Sequence, residues 1–131
     1  MMVDSPVWID VFLDRQTDSV AKLIAAISAA RPIMADLIRY EILRGFRHDR
    51  DVRTATELFA SLDQVRIVGH RRAAIAAARY RDLRRRGRTV RNSINALIAS
   101  YCIDEDIPLL FDDRDFFPYV EHFGLRRVEV E

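Results

Sequence analysis

Residues 87–116 read GRTVRNSINALIASYCIDEDIPLLFDDRDF, and three features of this run decide the fold. Over 91–104 the apolar positions Ile94, Leu97, Ile98, Tyr101 and Cys102 recur at the spacing of one helix face. Residues 108–111, PLLF, form a short, wholly apolar run that reads as a buried strand. Asp112, Asp113 and Asp115 follow that strand at once. In parallel α/β sheets ligands bind beyond the carboxyl ends of the strands, so these acids sit where a site is expected.

Outward from this run the same alternation continues. Residues 1–4 read as a strand, and a helix begins near Ser5-Pro6, with Ser5 as its cap and Pro6 in its first turn. An amphipathic helix covers 17–30 and is broken by Arg31-Pro32. A short strand is expected near Ile33, then a helix over 34–45 that ends at Gly45. A helix over 51–61, a strand over 65–68 (VRIV) and an Ala-rich helix over 70–86 follow. After PLLF, a short helix over 113–123 is interrupted or ended by Pro118, and 125–130, LRRVEV, closes the chain as a strand. Strands alternating with helices imply parallel pairing with helices on both faces, hence an α/β three-layer sandwich around a small sheet of four or five strands. With 131 residues, half of them hydrophobic, the chain reads as one domain over 1–131.

Composition narrows the function classes. No apolar stretch is long enough to span a bilayer, and the opening MMVDSPVW lacks the basic and apolar regions of a signal peptide, so a cytoplasmic protein is expected. The lone Cys102 agrees, since it cannot form an internal disulfide, and reads as a small buried hydrophobe. Net charge is only +1, but its distribution is uneven. Residues 79–91, RYRDLRRRGRTVR, hold seven Arg and one Asp, whereas 104–115 hold six acids and one Arg. A basic surface beside an acidic pocket suits a protein that grips a polyanion and processes it with a metal; the Arg run alone is equally a solvated helix face.

Glu41 is the most informative residue. Met34, Leu37, Ile38, Glu41, Ile42 and Gly45 share one face of the helix over 34–45, which puts a carboxylate within an apolar stripe. A lone buried carboxylate is costly unless a cation or a hydrogen-bonding partner meets it; an ion pair with an Arg, or a rotated helix, would also answer. Asn95 sits at the edge of the next helix's apolar stripe, either facing the sheet's rim or bonding to backbone. Asp4 ends the first strand, as a site residue or as a cap. Asp112, Asp113 and Asp115 cannot all be caps. Converging carboxylates need a compensating charge, and with His48, His70 and His122 scattered there is no zinc pattern. All-oxygen ligands select a hard cation, magnesium or manganese.

Three stretches carry a family resemblance. VDSPVWIDVF resembles the start of a PIN domain, where an acid ends the first strand and Ser or Thr follows; LIRYEILRG resembles its second acidic motif; and the 87–116 run resembles its third and fourth motifs joined. The resemblance extends over nearly the whole chain, and its specific part is the last motif pair. Within that family the chain resembles the VapC toxins of bacterial toxin–antitoxin systems. The family has Asp where this chain has Asn95, and often Thr, Ser or His at Phe111.

The resemblance implies a PIN-like fold and a metal-dependent endoribonuclease cutting structured RNA, a transfer or ribosomal RNA, and so blocking translation. It implies Asp4, Glu41, Asn95 and Asp113 as catalytic, metal-holding positions, with Asp115 as an additional ligand or water-positioner, around Mg2+ or Mn2+. Asn95 keeps the shape and a carbonyl oxygen but loses a charge and a base, so weakened metal binding and cleavage are expected. The alternative is a non-catalytic PIN-fold module that binds an antitoxin or RNA. Arg84, Arg85, Arg86, Arg88 and Arg91 are the expected phosphate contacts. A VapB-like antitoxin and a homodimer are the expected partners; Leu58, Phe59 and Leu62 would serve the dimer if exposed, or the core if not. A phosphotransfer domain with Asp4 as nucleophile would need a Lys near a later strand end, and the single Lys22 lies in an early helix. A helix-turn-helix repressor conflicts with the strand–helix alternation.

Overall fold

The computed structural model describes residues 1–29 and 31–130. Strand β1 (Met2–Val3) leads into helices α1 (Ser5–Phe12) and α2 (Asp18–Ala29); β2 (Ile33–Ala35) leads into α3 (Asp36–Arg44) and α4 (Asp49–Ala60). Strand β3 (Asp63–Val65) is followed by α5 (His70–Arg85) and α6 (Ser93–Asp104), and β4 (Leu109–Leu110) by a 3₁₀ turn (Arg114–Phe116) and α7 (Phe117–Phe123). The four strands form one parallel sheet in the order β3-β2-β1-β4.

That order explains the layers and the place of the site. From β1 the chain steps outward to β2 and β3, then returns to the other side of β1 as β4. Right-handed crossovers therefore put α1 to α4 on one face and α5 and α6 on the other. The packing agrees: α1 meets α2 and α3, α5 meets α6, and Trp8 of α1 stands edge-on to Phe59 of α4 with centroids 5.7 Å apart. The order reverses at β1, so the crevice lies beyond the ends of β1 and β4. Met2, Val3, Leu109 and Leu110 are fully buried, so the two central strands anchor that rim from below.

The structure moves several expected boundaries. Met34 lies in β2 rather than in the helix, because residues 33–35 pair with β1 on one side and β3 on the other; Asp36 then opens α3 by accepting from Leu37 N at 2.9 Å. The same Asp36 carboxylate accepts from Ile67 N at 3.2 Å. This draws 66–68 out of the ladder, so β3 is Asp63–Val65, not 65–68; Ile67 is buried as a core plug. The closing strand over 125–130 reduces to one parallel bridge between Leu109 and Arg127. Pro118 does not interrupt a helix; it occupies the first turn of α7, where a missing N–H costs nothing. The last residue of the expected helix over 17–30, Ala30, lies outside the described residues. Phe59 and Leu62 are buried in the core and Leu58 packs against it, so they are not an exposed apolar patch.

Candidate metal centre

Asp4 caps α1. Its backbone N–H continues the sheet by donating to Leu110 O at 3.0 Å, and its Oδ1 accepts from Ser5 N at 2.9 Å. Ser5, the expected cap, instead turns its hydroxyl outward from the helix end to donate to Glu41 Oε1 at 3.1 Å. Asp4 is buried, and its other oxygen, Oδ2, has no hydrogen-bond partner among the described residues. Burial pushes the Asp4 carboxyl up to about 7; the Ser5 N–H opposes this, while the negative charges of Glu41, Asp113 and Asp112 add to it.

Glu41 is buried on α3 between Ile38 and Ile42, as its spacing implied. Its cost is met mainly by hydrogen bonds: Oε1 accepts from Ser5, and Oε2 accepts from Asn92 Nδ2 at 3.2 Å. The exposed Arg44 guanidinium reaches only 4.0 Å, so an ion pair is a minor part of the answer.

Asn95 is buried on α6, and its side chain bonds to carboxylates and to no backbone group among the described residues. Its Nδ2 donates to Asp113 Oδ2 and to Asp115 Oδ2, each at 3.2 Å. Asp115 is the most tightly held acid, taking Arg91 N at 3.1 Å and Asn92 N at 2.9 Å as well. Asp113 caps the 3₁₀ turn by accepting from Asp115 N at 2.9 Å. Asp112 faces away from this cluster, accepting from Ser19 Oγ at 2.7 Å with Arg127 at 3.9 Å. Cys102 is buried and its thiol is pushed up to about 12, so no thiolate nucleophile is present at neutral pH.

Sequence reasoning missed Asn92, which joins the halves of the site. Its side-chain oxygen caps α6 through Ile94 N at 3.0 Å, its amide holds Glu41, and its backbone N–H holds Asp115. An Asn immediately ahead of an apolar helix is an N-cap signal, and reading it so would have set Asn95 one turn inside the helix.

The arginine run divides. Arg79 is tied to Ser100 and Asp104, Arg86 to Asp82, and Arg88 to Glu121. Arg84, Arg85 and Arg91 are exposed and have no side-chain partner among the described residues.

These side chains fit a hard cation. The donors are oxygens, and one of them, Asp4 Oδ2, is buried with no hydrogen-bond partner among the described residues, so it is open to a proton or a cation. Among the described residues no three His, Cys, Asp or Glu side chains are already gathered as a metal-holding group, and the Asn95 amide stands between Asp113 and Asp115 where such a group would close.

Comparison with known proteins adds an independent line. The PIN domain model matches residues 1–121. The chain is 31% identical over 120 residues to VapC ribonuclease Mb1587 of Mycobacterium bovis and to ribonuclease VapC11 of Mycobacterium tuberculosis, covering 88% of each chain in both cases. Two solved complexes share the fold. VapBC2 from Rickettsia felis bound to a promoter DNA fragment has TM-score 0.72 at 12% identity, covering 98% of this chain and 96% of that one. DNA-bound VapBC from Salmonella typhimurium has TM-score 0.74 at 16% identity, covering 98% and 95%.

Proposed function

This chain belongs to the PIN-domain family, among its VapC ribonucleases, and from that premise we propose that it is a divalent-cation-dependent endoribonuclease toxin weakened at Asn95. The observation that supports this reading is a linked chain of side chains beside β1 and β4: Ser5 and Asn92 both hold Glu41, Asn95 bridges Asp113 and Asp115, and Asp4 Oδ2 is buried with no hydrogen-bond partner among the described residues. Asp4, Glu41 and Asp113 are the proposed ligands of Mg2+ or Mn2+, position 95 is the fourth, and Asp115 an additional one. A bound divalent ion supplies Lewis-acid activation and neutralises charge on a phosphodiester.

The chain's own residues do the rest. Ser5 and Asn92 fix Glu41 in one orientation, so a ligand that long keeps its aim. Asp115, held by two backbone N–H groups, anchors the start of α6 to the 3₁₀ turn that carries Asp113. Asn95 presents an amide where a carboxylate would take up a proton or attract the ion, which removes a charge and a base at once. Of the arginines in the 84–91 run, Arg84, Arg85 and Arg91 are free to meet phosphate, while Arg86 and Arg88 would first leave their ion pairs. Such contacts position RNA without reading its sequence.

Residues 1–131 act as one domain in this reading, a cytoplasmic toxin with a VapB-like antitoxin, a homodimeric state and a structured RNA, transfer or ribosomal, as substrate. The DNA-bound VapBC complexes, whose fold this chain shares, support the antitoxin partner. Among the described residues no helix is long and apolar enough to cross a membrane.

The paired hydrogen bonds of Asn95 also favour a second reading, a PIN-fold module that binds antitoxin or RNA and does not cut. One assay separates the two: cleavage of total transfer and ribosomal RNA by the chain and by Asn95→Asp, in manganese and in chelator. A weakened nuclease gains cleavage on the substitution and loses it in chelator. If neither protein cuts, the non-catalytic reading stands.

A further inference from the structure

A cavity adjoins the carboxylates and shares two of them. A cavity of about 360 Å³ is lined by Arg88, Thr89, Arg91, Asp113, Arg114 and Asp115, with Pro118 at its edge. It shares Asp113 and Asp115 with the proposed metal centre, so whatever fills it is a close neighbour of whatever is cut. Its charges are unevenly committed. Asp115 is taken up by Arg91 N, Asn92 N and Asn95, and Asp113 by Asp115 N and Asn95. Arg88 is paired with Glu121. The guanidiniums of Arg91 and Arg114 are exposed, and neither has a hydrogen-bond or ion-pair partner among the described residues. Two uncommitted cations therefore line a polar cavity whose own acids are already satisfied.

The backbone that carries both cations is anchored, while their guanidiniums stay uncommitted. Arg91 is held because its own N–H donates to Asp115 Oδ1, and Arg114 because the 3₁₀ turn is capped by Asp113. Two exposed guanidiniums on anchored backbone line one cavity, which the arginines Arg84 and Arg85 of α5 do not. Planar guanidinium forks match phosphate oxygens, and Thr89 adds a hydroxyl donor.

We propose that this cavity is a phosphate subsite, in which Arg91 and Arg114 clamp the phosphodiester one nucleotide away from the bond that is cut in an RNA strand. The inference rests on the ribonuclease reading above and gives it a direction: the strand enters over the 3₁₀ turn rather than along α5. The arginines of α5, Arg84 and Arg85, then make at most peripheral contacts.

Binding of a fluorescent single-stranded RNA oligonucleotide in chelator, followed by anisotropy over a series of salt concentrations, tests this apart from cleavage. The double variant Arg91→Ala/Arg114→Ala is compared with Arg50→Ala/Arg53→Ala on α4, which removes the same charge elsewhere. The clamp variant should bind roughly tenfold more weakly or worse, equally for oligonucleotides of different sequence. Its salt slope should become shallower by about 0.7 for each phosphate that it no longer neutralises. Arg91→Lys/Arg114→Lys, which keeps charge but loses the fork, should fall between. The α4 variant should keep the parent's affinity and slope. If the clamp variant binds RNA as the parent does, or no worse than the α4 variant, the subsite is wrong while the ribonuclease reading stands. If the parent binds no RNA and Asn95→Asp cuts none, both fall together.

Discussion

The Asn95 side-chain nitrogen lies 3.2 Å from Asp115 Oδ2, and the same nitrogen lies 3.2 Å from Asp113 Oδ2. Ionised carboxylates only accept hydrogen bonds, so the amide must turn its NH2 to both. One neutral group thus holds two like charges together, as a cation would. Asn95→Asp replaces two donors with a further negative charge among these acids. In chelator near neutral pH, the variant should melt roughly 5–10 °C below the parent, because two hydrogen bonds go and repulsion is added. Differential scanning fluorimetry reads this directly, and an unchanged melting temperature would show that the two bonds do not stabilise the rim.

Asn92 gives a second, separable prediction. Asn92→Ala removes both the α6 cap and the donor to Glu41, and should destabilise by about 2–3 kcal/mol in urea unfolding. Asn92→Ser keeps a capping oxygen but has no amide to reach Glu41, so it should recover about 1 kcal/mol of that loss. Equal losses for both variants would mean that the cap carries no weight and the bond to Glu41 all of it.

Asp4 sets a pH dependence. Its carboxyl rises from 3.8 to about 7, chiefly through burial. The folded chain keeps that proton where the unfolded chain has released it, so the contribution favours folding below about pH 4 and is lost as pH climbs to about 7. The full loss is on the order of 4 kcal/mol. Urea unfolding in chelator should show the parent losing stability over this interval relative to Asp4→Asn, whose amide does not titrate. A constant difference between the two proteins across the interval would contradict the assignment.

How much of this was legible in the sequence depends on which physical signal a residue leaves. Glu41 was legible because a carboxylate on an apolar helix face breaks the hydrophobic pattern, and the structure buries it there. Strand β4 and its trailing acids were legible because PLLF is uniformly apolar between polar neighbours. Strand β3 was misplaced because Asp63 and Gln64, exposed at the sheet's edge, carry no apolar signal, while Ile67 does but loses its N–H to Asp36. Asn92 left only an N-cap signal and Ser5 was read as a cap, because their bonds to Glu41, 51 and 36 residues away, are encoded by no local pattern. The separation of Asp112 from Asp113 had the same origin, since it depends on Ser19 of α2.

Arg127 shows how the end of the chain supports the site loop. Its guanidinium lies 4.7 Å from the Phe111 ring centre and 5.2 Å from that of Phe117, and it donates to Phe111 O at 3.0 Å, just ahead of Asp112 and Asp113. Arg127→Ala should cost about 1–2 kcal/mol and speed amide hydrogen exchange in residues 112–116. Arg127→Lys keeps the charge without the planar fork and should recover less than half of the protection. Unchanged exchange in that segment would show that Arg127 does not brace the loop.

Asp4, Glu41, Asp113 and position 95 are proposed to surround one divalent-ion site, and the nuclease activity proposed for this chain depends on that. Titration of Mn2+ followed by electron paramagnetic resonance tests it most directly, because bound and free ion differ in signal whether or not RNA is cut. Asn95→Asp should bind Mn2+ at least roughly tenfold more tightly than the parent, and adding Glu41→Gln or Asp113→Asn should abolish that gain. If the parent and Asn95→Asp bind alike, or if the gain survives loss of Glu41 and Asp113, the acids at this rim do not form the site described.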